Sequence, residues 1–297
     1  AELIRNTLRG TVDEVANRVE QLATAAQAQT DALAYLDERI DANFAAASHH
    51  LRDDVRDGSV MRGEVLARWQ DLVGTGDLLR QLQSSIGRLR DKLASAITGR
   101  PTSTDQFQGA LESGVQTLLR ARITEAIERT ATEWRSHPAG AALLHASEVD
   151  LTQPADDLGD RAARLVRDWQ GALLELLRDE GTTKRTTARA LSYGVNGVAL
   201  VLMVAVFAQT GGLTGGEIAI AGGSSAAGQK LLEALLGDNA VRRLAAVARD
   251  DLDERATRLI GDEANRFRDV LRGTGADPHL ADELVDLAHR LHAEAAR

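Results

Sequence analysis

The chain has 297 residues, with 44 acidic and 35 basic side chains and a formal net charge of −9, a balance that argues against a general nucleic-acid binder. It holds no Cys, which excludes disulfide and thiolate chemistry and fits a reducing compartment. With 3% aromatic residues, 4 Pro and an abundance of Ala, Leu and Arg, it is biased toward helix and is long enough to bury a sizeable core.

Residues 1–20 are polar and charged and carry no secretory pattern. The chain opens at Ala1 directly into a helical pattern, which points to a segment upstream. Residues 2–57 read as one helix: Leu22, Ala25, Ala26, Leu33, Leu36, Ile40 and Phe44 recur at steps of three and four, and no Pro intervenes. From Thr11 to Arg56 such a helix would measure about 70 Å at about 1.5 Å per residue, the length of a stalk or coiled-coil rod. Asp57-Gly58 is the expected stop.

Further helices are expected at 63–73, at 77–98 beyond Gly74-Thr75-Gly76, and at 104–135, the last opened by Thr102 with Asp105 or Ser103 with Gln106 as a capping box. Pro138 closes that helix. A short helix at 138–147, a loop from Glu148 to Pro154 and a helix at 155–180 follow. After Gly237, Asp238 is a good N-cap for a long helix to about Arg272, with Val241, Leu244, Val247, Leu252, Leu259, Ile260 and Phe267 on its apolar face. Asp277-Pro278 offers a cap and a first-position Pro for a last helix at 279–296, with Leu280, Leu284, Leu287 and Leu291 on one face. Trp69, Trp134 and Trp169 read as core anchors.

Between Arg189 and Lys230 the only charged residue is Glu217. Ala190 to Ala208 is an apolar run of 19 residues, about 28 Å as a helix, close to a hydrocarbon core of about 30 Å. Gln209 to Gly216 is the expected turn. Ile218 to Gln229 is a second, weaker arm whose small residues would let it pack closely on the first. The residues placed in the bilayer are Leu191, Val195, Val198, Leu200, Val201, Leu202, Met203, Val204, Val206, Phe207, Leu213, Ile218 and Ile220. Lys184, Arg185 and Arg189 precede the insert and Lys230, Arg242 and Arg243 follow it. Both ends are therefore basic, as a hairpin entered from the cytoplasmic side requires, and these six residues would meet anionic head groups. A helical hairpin buried inside a bundle satisfies the same apolar pattern.

Chemical motifs are sparse. Gly223-Ser-Ser-Ala-Ala-Gly228-Gln229-Lys230 has the outline of a phosphate-binding loop, but Gln229 stands where that loop has Lys, and Lys230 where it has Ser or Thr. Nor is there an alternation of strands and helices around it. His289 and His292, with Asp286, can share a helix face, but a solvated helix end explains them more simply than a metal site. The run Arg249 to Arg255 reads as a solvated face with local ion pairs.

Two stretches carry a family resemblance: Arg62-Gly-Glu-Val-Leu-Ala-Arg-Trp-Gln-Asp-Leu-Val-Gly-Thr-Gly76, and the insert from Tyr193-Gly-Val-Asn-Gly197 through Gln209-Thr-Gly-Gly-Leu-Thr-Gly215 to Gln229-Lys-Leu-Leu-Glu-Ala-Leu-Leu-Gly-Asp-Asn-Ala-Val-Arg-Arg243. Both resemble the region after the GTPase head in bacterial dynamin-like proteins of the actinobacterial type, over most of residues 10–272. The resemblance implies a parent with an N-terminal GTPase head, a helical stalk and a hydrophobic paddle that inserts in the cytoplasmic membrane. It also implies a role in membrane remodelling or maintenance, and work as self-associated or paralogous pairs. The head's motifs have no counterpart in this chain, so no catalytic residue carries over, and GTP and Mg are expected only for that head.

The expected architecture is all-α: an elongated helical bundle or stalk over 1–182, a hydrophobic membrane-associating hairpin, paddle or transmembrane, at 183–236, and a returning stalk helix and C-terminal helix over 237–297. The expected function is the stalk and membrane-binding part of a dynamin-like GTPase, at the cytoplasmic face of the cell membrane. The partners expected are a lipid membrane and a like chain, with no nucleic acid and no catalytic, cofactor or metal site in this chain. The alternatives are a soluble helical scaffold or adaptor with the hairpin buried in its core, and an enzyme using the 223–230 loop.

Overall fold

The computed structural model describes residues 2–57, 59–61, 63–65, 67–68, 103–180, 204–205 and 238–296. Among them the chain is all-α, without a strand. Its helices are α1 (Glu2–Arg56), α2 (Ser103–Ser136), α3 (Pro138–Ala146), α4 (Leu158–Glu180), α5 (Asp238–Gly273) and α6 (Leu280–Ala295), with a 3-10 turn at Ser59–Met61. The helix expected at 77–98, Trp69 and most of the helix expected at 63–73 lie outside the described residues, as does the insert at 183–236 apart from Val204 and Ala205.

Local chemistry sets the helix ends. Asp57 closes α1: its Oδ1 accepts from the Ser59 backbone N–H at 2.8 Å and from Ser59 Oγ at 2.6 Å, turning the chain into the 3-10 segment. Pro138 does more than end α2. It forces His137 into extended backbone (φ −106, ψ 131) and then serves as the first residue of α3, whose Ala139 N–H donates to His137 Nδ1 at 3.3 Å. After α5, Gly275 takes φ +62, a conformation that favours glycine. Asp277 and Pro278 form the turn before α6, where the sequence had suggested a cap and first residue. Asp277 Oδ1 accepts from the His279 N–H at 2.9 Å, and the helix begins three residues on, at Leu280.

The chain packs as two compact units, each drawing on separated stretches. The first comprises Ala1–Ala45, Ala126–Gln153 and Asp262–Arg297. Its core is aromatic: Phe267 of α5 meets Trp134 of α2 edge-on (centroids 5.3 Å, 81°) and Phe44 of α1 (5.9 Å, 62°), and Trp134 Nε1 donates to the Leu36 carbonyl at 3.2 Å. Around this core, Asn43 Nδ2 donates to Glu133 Oε2 at 2.9 Å, and Arg268 joins Asp37 at 3.3 Å and Asp41. Arg266 ties the loop after α3 to α5. It donates to the carbonyls of Asp150 at 2.9 Å and Gln153 at 3.0 Å and pairs at 2.8 Å with Glu263, which is wholly buried. In that loop the hydroxyl and then the N–H of Thr152, both donating to Asp150, hold the Asp150 carboxyl below its ordinary range.

In the same unit, His292 of α6 reaches Glu20 at 3.2 Å and Asp13 at 3.7 Å on α1. The buried residues beside it are alanines at steps of seven: Ala16 and Ala23 on α1, and Ala281, Ala288 and Ala295 on α6. Small residues let two helix backbones approach closely, so the seam runs through alanines and the larger neighbours are left outside. This corrects the expected faces. Leu22, Ala25, Leu280 and Leu287 are exposed, whereas Leu36, Ile40 and Phe44 are buried as anticipated.

The second unit comprises Ala46–Glu125 and Pro154–Gly261. Here α4 buries Leu158, Ala162, Val166, Trp169, Leu173 and Leu177 at steps of four, four, three, four and four, an unbroken apolar stripe. Trp169 Nε1 donates to the Ala248 carbonyl of α5 at 2.9 Å. On α5 the buried set includes Val241, Leu244, Ala245, Ala248, Leu252 and Ala256; Val247, expected on this face, falls off the stripe and is exposed. Arg122 of α2 grips Asp54 of α1 with two nitrogens, at 2.6 and 3.0 Å, and Glu125 at 2.9 Å. The bond to Asp54 is the main cause that holds this guanidinium above its ordinary range.

Candidate functional site

Most of the expected membrane-contact residues lie outside the described part of the chain. These are Leu191, Val195, Val198, Leu200, Val201, Leu202, Met203, Val206, Phe207, Leu213, Ile218 and Ile220, and with them Lys184, Arg185, Arg189 and Lys230. The loop Gly223 to Lys230 is outside it too. Val204 and Ala205 are described: both are helical and both are 0% exposed within the second unit. Arg242 and Arg243 sit near the start of α5, exposed and each engaged in an interaction, next to the buried Val241 and Leu244. Among the described residues no helix is long and apolar enough to cross a membrane.

The second unit also contains a cavity of about 320 Å³. The end of α1 and the following turn, the middle of α2 and the middle of α5 supply its walls. Its floor is apolar, made by Leu51, Val60, Val115, Leu119 and Leu252, each at most 5% exposed. Its polar side holds Arg52, Arg56, Arg249, Asp250 and Asp253. Arg52 Nε and Asp253 Oδ1 are 2.6 Å apart and satisfy one another. Among the described residues, Arg56 and Arg249 make neither a hydrogen bond nor an ion pair.

The run Arg249 to Arg255 therefore divides in two. Asp251 pairs locally with Arg255 at 2.9 Å, as i,i+4 spacing predicts, while Asp253 pairs with Arg52, which is 201 residues away in sequence. The i,i+4 spacing sets Arg52 and Arg56 on one face of α1, but no signal in the sequence could have brought Arg249 to them. The histidines weighed as ligands stay apart from any metal-binding set: His292 faces the carboxylates of α1, His289 is exposed, and no cluster able to hold a metal occurs among the described residues.

No family model matches the chain, and neither a curated protein nor a solved structure matches it.

Proposed function

We propose that this chain is the stalk and membrane-binding part of a dynamin-like GTPase, an elongated helical bundle whose apolar hairpin enters the cytoplasmic membrane. The observation that carries the reading is the uncharged run Ala190 to Ala208, of bilayer length, with basic residues on both sides of the insert. The resemblance of the stretches at 62–76 and 193–243 to dynamin-like proteins supports it. So does the length of the helices: α1, α2 and α5 have 55, 34 and 36 residues, well above the usual 10–14 or so. On this reading a GTPase head, which alone would hold GTP and Mg, drives a motion that α1 passes toward the hairpin. The hairpin inserts, Lys184, Arg185, Arg189, Lys230, Arg242 and Arg243 meet head groups, and a like chain is the partner.

One observation favours a second reading, a soluble scaffold with the hairpin in its core: Val204 and Ala205, in the last third of the apolar run, are fully enclosed by protein. Liposome flotation decides between them. The chain is compared with a variant in which Val201, Leu202, Val204 and Val206 are all changed to Ser. Flotation of the original alone, persisting at high salt, is the expected outcome for insertion. Flotation abolished by salt leaves only surface attraction, which Debye screening removes. If neither chain floats and the variant unfolds on mild heating, the run is core and the scaffold reading replaces the first.

A further inference from the structure

We propose that the cavity of the second unit binds a single-chain amphipathic carboxylate, with its hydrocarbon tail on the apolar floor and its head between Arg56 and Arg249. The cavity's volume, about 320 Å³, lies at the lower end of the about 300–1,000 Å³ of small-molecule pockets, too small for a folded partner or an extended peptide. Among the described residues the floor is aliphatic throughout, with no aromatic ring for a base to stack on, which disfavours a nucleotide. Leu51, Val60, Val115, Leu119 and Leu252 instead offer what an alkyl chain needs.

The charges select the head. Among the described residues three arginines and two aspartates line the cavity, in a chain whose net charge is −9. Arg52 and Asp253 neutralise each other at 2.6 Å. Arg56 and Arg249 remain unpaired among the described residues, with Asp250 as the opposing charge, an excess of one positive charge. That excess suits a monoanion better than a phosphate dianion, and a guanidinium fork matches a carboxylate in bidentate geometry. A cation would meet two guanidinium groups, and a neutral alcohol would leave both unanswered.

Isothermal titration calorimetry on the full chain tests this, with decanoate below its micelle concentration as probe and decanol, decylammonium and decyl phosphate as controls. The expected result is saturable binding of one decanoate, at least about tenfold tighter than decyl phosphate or decanol, with no binding of decylammonium. Arg56→Gln with Arg249→Gln weakens decanoate at least about tenfold, and Ala246→Trp, which fills the cavity, abolishes binding while the far-ultraviolet circular dichroism stays unchanged. Arg56→Gln with Arg249→Gln floats with liposomes as the original chain does, which separates this site from the membrane reading. No saturable binding, equal binding of decanol or decyl phosphate, or decanoate binding that ignores the arginine and Trp variants overturns the proposal.

Discussion

Glu263 and Arg266 show what a single buried charge demands of its surroundings. Glu263 is 0% exposed, and Arg266 spends one nitrogen on it while reaching two loop carbonyls with its guanidinium. A surface pair contributes about 0–1 kcal/mol, but stripping one partner from a buried pair costs about 3–5 kcal/mol, because the remaining charge stays desolvated. Arg266→Ala is therefore expected to lower the unfolding free energy by about 3 kcal/mol in urea denaturation, and adding Glu263→Gln to restore part of it. A loss below about 1 kcal/mol would show that the other contacts of Glu263 suffice. The sequence gives the i,i+3 spacing of this pair but not its depth. Burial comes from the segments laid over it, and those are distant in the chain.

At the scale of elements, α3 is fixed by a glycine. A Cβ built on Gly140 would stand 2.4 Å from the Trp134 carbonyl oxygen and 2.9 Å from Leu36 Cδ2. Ala is better than Gly in a helix by about 1 kcal/mol, so Gly140→Ala would be stabilising on propensity alone. Here the neighbour is backbone, which cannot swing away, and overpacking costs about 1–3 kcal/mol. We expect Gly140→Ala to destabilise the protein by about 1 kcal/mol in the same denaturation measurement; a stabilised variant would mean that α3 slides freely against Trp134. The other elements were largely legible. The bounds of α1, α2 and α5 match their apolar periodicity and breakers, because those signals act within a few residues. The faces were less legible: on α6 the leucines stand out in the sequence while the alanines are buried, since close approach of two helices favours the smaller side chain.

For the whole molecule, each unit carries a buried tryptophan, Trp134 in the first and Trp169 in the second. The helices α1, α2 and α5 each contribute residues to both units without a break. Unfolding one unit alone would require all three helices to end at new, uncapped positions, each leaving backbone groups unsatisfied. In each single-tryptophan variant, Trp69→Phe with either Trp134→Phe or Trp169→Phe, the urea midpoint from tryptophan fluorescence is expected to coincide with that from far-ultraviolet circular dichroism, the mark of one cooperative transition. Separated midpoints would show that the helices break at the unit boundary.

The sequence by itself determined the all-α class, the long uninterrupted helices, the anchors Trp134 and Trp169 and the apolar run with its basic flanks. All of these rest on helix periodicity, proline and glycine breakers and local charge, which neighbouring residues decide among themselves. Only the tertiary structure decided which helix faces are seams, that Asp253 answers Arg52, that Phe267, Trp134 and Phe44 form one aromatic cluster, and that Arg56 and Arg249 flank an apolar cavity. Those contacts join residues from about ninety to over two hundred positions apart. They are set by which surfaces the packed helices bury together, and no local pattern in the chain encodes that choice.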